Sequence, residues 1–220
     1  MGQNTILNEN QRIVLSKIRD DDFLRDTFYF TGGTALSEVY LQHRESIDLD
    51  FFTEHTYDAQ NILSRLKRWA QDLDYSIETR YIEPTHIYFL KFQTGDTLKI
   101  DFVHYPYKQL SHPSFYDDTL KVDSKLDIAT NKLLTITQRT EVKDFVDLFF
   151  LLQEYTFWDL KAAVERKFNV RIEPFVIATD LMVVDEFEYM PRMIRPLTLN
   201  DLQSFFHALA EKLGRGSVVV

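Results

Sequence analysis

Apolar positions recur at two different periods along this chain, and the change between them divides it. Residues 8–25 carry Ile13, Leu15, Ile18 and Leu24 with the loose spacing of one helix face. TFYFTGG (27–33) reads as a short strand closed by Gly32 and Gly33. TALSEVYLQH (34–43) returns to helical spacing, with Leu36, Val39 and Tyr40 on one side and Thr34 as the expected N-cap. SIDLDFF (46–52) alternates strictly and reads as a strand, with Ile47, Leu49 and Phe51 expected to face the core. DAQNILSRLKRWAQD (58–72) is helical, capped by Asp58. Three strand patterns follow, YSIETRYI (75–82), HIYFLKFQ (86–93) and TLKIDFVHY (97–105), and TGD at 94–96 joins the last two as a hairpin.

Beyond Pro113 the helical period takes over. SKLDIATNKLLTITQR (124–139) and VKDFVDLFFLLQEY (142–155) read as helices, the second with Phe145, Leu148, Phe149 and Leu152 on one face. Further helices are expected over 157–168, 173–184 and 198–213, and the tail GRGSVVV (214–220) reads as a loose end or an added edge strand. The expected class is α+β: a short mixed sheet flanked by helices over residues 1–115, then a mostly helical part over 116–220. There are no internal repeats and no low-complexity linker.

Composition narrows the chemistry. With 45% apolar residues, 18 Phe and 11 Tyr, 220 residues suffice for a sizeable core. The absence of cysteine excludes disulfides, thiolate catalysis and Cys-ligated zinc. A net charge of −9 argues against a general nucleic-acid coat, which needs Lys and Arg for phosphate. The polar first twenty residues lack the apolar core of a signal peptide, and no apolar run approaches the roughly 20 residues that cross a bilayer. The expectation is a cytoplasmic protein with no membrane partner. The histidines show no metal-ligand spacing, and no nucleophile elbow appears.

The informative polar residues are the acids inside apolar strands. A strand period of two puts Asp48 and Asp50 on one face, about 6 to 7 Å apart. Two carboxylates at that spacing repel unless a cation lies between them, and Mg²⁺ takes oxygen ligands at about 2.0 to 2.1 Å. In TLKIDFVHY, Leu98, Ile100 and Phe102 form the apolar face, and Lys99, Asp101 and Val103 form the other. Should that strand pair beside residues 47–52, three carboxylates converge, a set suited to two metal ions about 3.5 to 4 Å apart. Each acid taken alone also fits the solvated face of an edge strand. Gly32 and Gly33, between a strand and a helix, fit a phosphate cradle, where backbone N–H groups approach an anion closely; they equally fit a plain turn. Neither a P-loop nor a dinucleotide fingerprint is present.

Strand, Gly-Gly-Thr, helix, a strand with D-x-D and a distant strand with a single Asp together resemble the nucleotidyltransferase superfamily of polymerase-β type. GGTALSEVYLQHRESIDLDFF (32–52) resembles the AbiEii/AbiGii toxin family within it, and LDIATNKLLTITQRTEVKDFVDLFFLL (126–152) is similar to that family's later motif, in which a helix carries Lys and a K-D-x-x-D turn follows. The resemblance spans roughly residues 28–152.

The resemblance implies transfer of a nucleotidyl group from NTP to an acceptor hydroxyl, with pyrophosphate released and NTP held in a cleft between the two parts. Asp48, Asp50 and Asp101 would be metal ligands, for two Mg²⁺ ions with Mn²⁺ as the alternative. Gly32, Gly33, Thr34 and Arg44 would serve the nucleotide, with Arg44 and Ser46 bracing the metal loop or touching phosphate. Lys132 would offset developing charge; its structural alternative is a snorkelling lysine whose stem covers the core. Lys132 and Arg139 would share a helix face. Asp144 would be an N-cap, and the resemblance adds a catalytic part, orienting Lys132 or acting on the acceptor hydroxyl; Asp147 would support either one or pair with Arg139. Implied partners are an acceptor, either tRNA or a small-molecule or protein hydroxyl, and a cognate antitoxin. A basic rim for tRNA could come from Lys161, Arg166, Lys167, Arg171, Arg192 and Arg195, which read equally well as solvated helix faces. The alternative function is a catalytically silent nucleotide- or partner-binding regulatory module of the same fold.

Overall fold

The computed structural model describes residues 5–216. Two helices replace the single one expected over 8–25. Helix α1 (Glu9–Asp20) starts with a capping box: the Asn8 side chain accepts from the Gln11 N–H at 2.9 Å, and the Gln11 side chain accepts from the Asn8 N–H at 3.0 Å. Asp21 then turns to extended backbone (φ −91°, ψ 113°), and its side chain accepts from the Leu24 N–H to cap α2 (Asp22–Thr27). A capping residue in mid-pattern outweighed the continuous apolar period.

The chain next forms β1 (Tyr29–Thr31), α3 (Gly32–Ala35), a π-helical continuation (Leu36–Leu41), β2 (Leu49–Thr53) and α4 (Ala59–Leu73). Asp58 caps α4, accepting from the Gln60 N–H. The strands β3 (Tyr75–Ile82), β4 (Thr85–Phe92) and β5 (Thr97–His104) fall within a residue of where alternation puts them. Two short strands, β6 (Ser114–Tyr116) and β7 (Leu120–Val122), were not expected. Three residues are too few to display a period, so nothing local marks them.

These strands make one seven-stranded sheet in the order β3-β4-β5-β2-β1-β7-β6, with β2–β5 and β1–β7 parallel. Register explains the stability of its centre. Phe30 pairs with Phe51 and Phe51 with Phe102, so three rings stack in a row across β1, β2 and β5, with centroids 5.5 and 5.3 Å apart. All three are fully buried. Side chains alternate across a sheet, so the residues beside them in sequence, Thr31, Asp50 and Asp101, form a parallel row on the opposite face. Ile47 departs from the expectation: β2 begins at Leu49, and Ile47 is 69% exposed.

The remaining elements are α5 (Lys125–Thr135), α6 (Val142–Leu151), α7 (Phe157–Phe168), α8 (Pro174–Leu181) with a 3₁₀ turn (Met182–Glu186), and α9 (Leu199–Gly216). Of the tail, residues 214–216 close α9, and 217–220 lie outside the described residues. By internal contacts the chain divides into two units. One comprises residues 1–40, 46–108 and 112–123 and holds the whole sheet; the other comprises 41–45, 109–111 and 124–220 and holds α5 to α9.

In the helical unit, α6 was expected to bury one face. It buries nearly all round, including Asp144, Phe145, Val146, Asp147 and Leu148. Phe145 packs edge-on against Phe206 and Phe187, with centroids 5.2 and 5.0 Å apart. The supposed basic rim also changes. Lys167 is buried and donates to Asp127 at 2.7 Å, and Asp127 further accepts from the Ser124 hydroxyl and the N–H groups of Leu110 and Ser111. Lys161, Arg171 and Arg192 each pair with a glutamate, Glu165, Glu173 and Glu45. Among the described residues no helix is long and apolar enough to cross a membrane.

Candidate active site

Asp50 and Asp101 come together because β2 and β5 run parallel in register, Asp50 opposite Asp101. Asp48 lies just before β2. Its position is fixed by Thr34, whose hydroxyl donates to the Asp48 carbonyl and lies 2.8 Å from the Ser46 hydroxyl. Thr34 is therefore not the N-cap of α3; it is buried inside that helix and ties the helix to the acidic loop.

The cation in this cluster is Lys99. Its ammonium donates to Asp101 at 2.7 Å and stands 3.9 Å from Asp48. Burial pushes the Lys99 pKa down, and Asp101, Asp48 and Asp50 together push it up further, so the ammonium is held protonated above its ordinary range. All three carboxylates thus act on one positive charge. Lys99 was visible in sequence as the residue sharing a face with Asp101, yet nothing there gave it a role.

The donor set suits a hard divalent cation, which prefers carboxylate oxygen. Among the described residues no three acidic or histidine side chains are closed around a metal-sized point; the Lys99 ammonium lies against Asp101 and Asp48.

The glycine turn follows from the same row of residues. Thr31 occupies the N-cap of α3, but its hydroxyl donates to Asp123 (3.0 Å) and gives the helix no side-chain cap. Gly32 has φ +74°, and a Cβ built there would fall inside the Asp50 carboxylate. Only glycine combines that backbone with that approach. Asp123, fully buried, was missed in sequence because it follows the unexpected strand β7; its N–H donates to the Phe30 carbonyl at 2.8 Å.

The later motif forms its own buried cluster in the helical unit. Lys132 donates to Asp144 at 2.6 Å and pairs with Asp147 at 2.6 Å. Arg44 grips both oxygens of Asp147 (2.6 and 2.8 Å), His43 Nε2 lies 2.7 Å from the same carboxylate, and Arg139 donates to Asp144 at 2.8 Å. Arg139 reaches Asp144 from beyond the end of α5, which stops at Thr135, so it does not share a helix face with Lys132. Asp144 lies in the first turn of α6, and Glu141 occupies the N-cap.

Burial raises the pKa values of Asp144 and Asp147, but the neighbouring cations more than reverse this, Asp147 ending well below the carboxylate range. Burial lowers the pKa of Lys132, and Asp147 and Asp144 outweigh it, raising the net value. For His43 burial wins over Asp147, and its pKa is lowered.

Three comparisons bear on this arrangement. A family model described as nucleotidyl transferase AbiEii toxin, type IV toxin–antitoxin system, matches residues 13–216. The uncharacterized protein aq_aa25 of Aquifex aeolicus (strain VF5) is 34% identical over 158 residues, 70% of this chain and 71% of that one. Two solved structures from Helicobacter pylori share the fold. One, a putative nucleotidyltransferase, has 20% identity, TM-score 0.60 and coverage of 96% and 97% of the two chains. The other, JHP933, has 21% identity, TM-score 0.59 and coverage of 96% and 94%.

Proposed function

Because the chain belongs to the nucleotidyl transferase AbiEii toxin family of type IV toxin–antitoxin systems, we propose that Asp48, Asp50 and Asp101 carry its nucleotidyl transfer from NTP to an acceptor hydroxyl. Membership makes the chain a nucleotidyltransferase with NTP as substrate and an antitoxin as partner. The proposal concerns which residues act and how.

The acceptor oxygen forms a bond to the α-phosphorus as the bond to the bridging oxygen breaks, and pyrophosphate leaves. The acceptor proton passes to Asp101. Gly32, Gly33 and Thr34 hold the β- and γ-phosphates at the start of α3, whose N-cap residue Thr31 gives it no side-chain hydrogen bond. Within the helical unit, Asp144 holds Lys132 and Arg44 is locked on Asp147. Mg²⁺ or Mn²⁺ held by the three carboxylates would supply Lewis-acid polarisation of the phosphate. The acceptor class proposed is tRNA.

The observation carrying this reading is the parallel register that sets Asp50 opposite Asp101, with the Lys99 ammonium 2.7 Å from Asp101 and 3.9 Å from Asp48. The test is incubation with Mg²⁺, each α-labelled NTP in turn and total tRNA. Label should appear in tRNA, vanish with EDTA and vanish in Asp48→Ala. Nucleotide binding without transfer to tRNA, a small molecule or protein would favour the silent binding module instead.

A further inference from the structure

The acidic row is not the end of its sheet face. Two residues along β2 from Asp50, about 7 Å at the strand repeat, stands Phe52. It is half-buried, with Tyr29 opposite it on β1 and Val103 opposite it on β5. The β5 alternation that sets Asp101 and Val103 on this face continues to Tyr105, whose N–H donates to the Thr53 carbonyl at 2.7 Å and extends the ladder. The Tyr105 ring lies 4.7 Å from that of Phe52, and the Tyr107 ring 4.9 Å from that of Tyr105. Between the tyrosines, Pro106 limits the backbone, and the Tyr107 N–H donates to the Tyr105 carbonyl at 2.8 Å, which turns Tyr107 back beside its neighbour. Tyr107 is 38% exposed, and Lys108 after it is exposed.

An aromatic run inside a sheet usually belongs to a core, and the Phe30–Phe51–Phe102 row on the reverse face is one. This second run differs in two ways. It shares a face with the acids, and it ends at a partly exposed ring followed in sequence by an exposed lysine. Aromatic rings next to a positive side chain are what unpaired bases stack on.

We propose that Phe52, Tyr105 and Tyr107 form a stacking subsite for a nucleobase, about one nucleotide's reach from the acids. This rests on the nucleotidyl-transfer reading of the acid row. The base belongs either to the NTP or to a single-stranded acceptor, and the experiment separates the two.

Binding is measured at equilibrium for the full chain with four kinds of probe: each NTP, a single-stranded cytidine hexaribonucleotide, the matching abasic hexamer and inorganic triphosphate. Tyr107→Ala should weaken the NTPs or the hexamer roughly tenfold, within the range for one lost stack, and leave the abasic hexamer and inorganic triphosphate unchanged. Tyr107→Trp should restore the loss, and Tyr105→Ala should reproduce it. A loss confined to NTPs assigns the base to the donor; one confined to the hexamer assigns it to the acceptor. The subsite is overturned if neither alanine variant loses affinity, if the base-free probes lose as much, if tryptophan fails to restore it, or if the wild type binds no base-bearing probe. Turnover is not needed for this readout. Base-dependent binding without transfer would keep the subsite and sink the transfer reading; intact transfer with unaltered binding in both alanine variants would sink the subsite alone.

Discussion

Asp50 and Asp101 are register partners on adjacent parallel strands, while their neighbours Phe51 and Phe102 stack 5.3 Å apart on the reverse side of the sheet. The packing that fixes the rings also forces the carboxylates together. Asp50→Asn and Asp101→Asn should each lower nucleotidyl transfer on the order of 10²–10³-fold. Asp50→Asn should not lower the melting temperature, because it removes a like charge from a crowded row, whereas Asp101→Asn also breaks the 2.7 Å pair with Lys99 and should lower it slightly. Transfer assays paired with thermal melts check this; a variant that loses activity only by unfolding would contradict it.

Gly32 and Gly95 both have positive φ, +74° and +91°, but only the first is crowded. Gly95→Ala should cost about 1–2 kcal/mol from backbone strain alone and leave transfer intact. Gly32→Ala should cost more than that and also lose transfer, because the new methyl displaces the Asp50 carboxylate. Urea titrations with activity measured at a temperature where both variants are folded distinguish the two.

Lys132 neutralises two buried carboxylates at once. Lys132→Met keeps an unbranched side chain one atom shorter and removes the charge, and should destabilise the helical unit by about 3–5 kcal/mol. Trp158 in α7 reports on that unit by fluorescence once Trp69 is replaced by Phe. A loss below about 1 kcal/mol would mean that Arg44 and Arg139 alone satisfy Asp144 and Asp147.

Acid should weaken the fold in two stages. Burial holds the pKa of His43 below 6.5, so as pH falls through 6.5 the unfolded chain takes up a proton that the folded chain resists, and stability drops. Asp144 and Asp147 sit below their ordinary 3.8 despite burial, because the cations around them prevail; their contribution is present above that value and lost as pH falls through the folded values. His43→Gln should flatten the first stage only. The residue of slope left there belongs to His86, which burial also lowers. Urea-derived stabilities at closely spaced pH values measure both slopes.

Much of the architecture was legible in sequence, and the misses share a cause. YSIETRYI matches β3 at both ends, and the D-x-D and single-Asp strands carried their apolar faces openly. Asp21 looked like one more surface acid in a helix and is a cap that ends it. Strand β7 is stabilised by pairing with β1, a partner some ninety residues earlier in the chain, β6 pairs in turn with β7, and Asp123 was hidden with them. Thr34 looked like a cap, and its true partners, Ser46 and the Asp48 carbonyl, lie across a loop. The K-D-x-x-D motif was visible, yet the encirclement of Asp147 by His43, Arg44 and Lys132 was not, because those residues come from opposite halves of the chain. Local periods report local structure; charge partners chosen by tertiary approach leave no period.

The parallel join between β2 and β5 sets an order of events for the growing polypeptide. An antiparallel hairpin can close as soon as its turn is made, but this join waits until α4, β3 and β4 have been synthesised and β5 has emerged. A nascent chain that has not yet reached β5 therefore lacks Asp101, one of the three acids. Under the role proposed for Asp101, a fragment ending before it would carry out no transfer, and competence would arrive only with the distant strand.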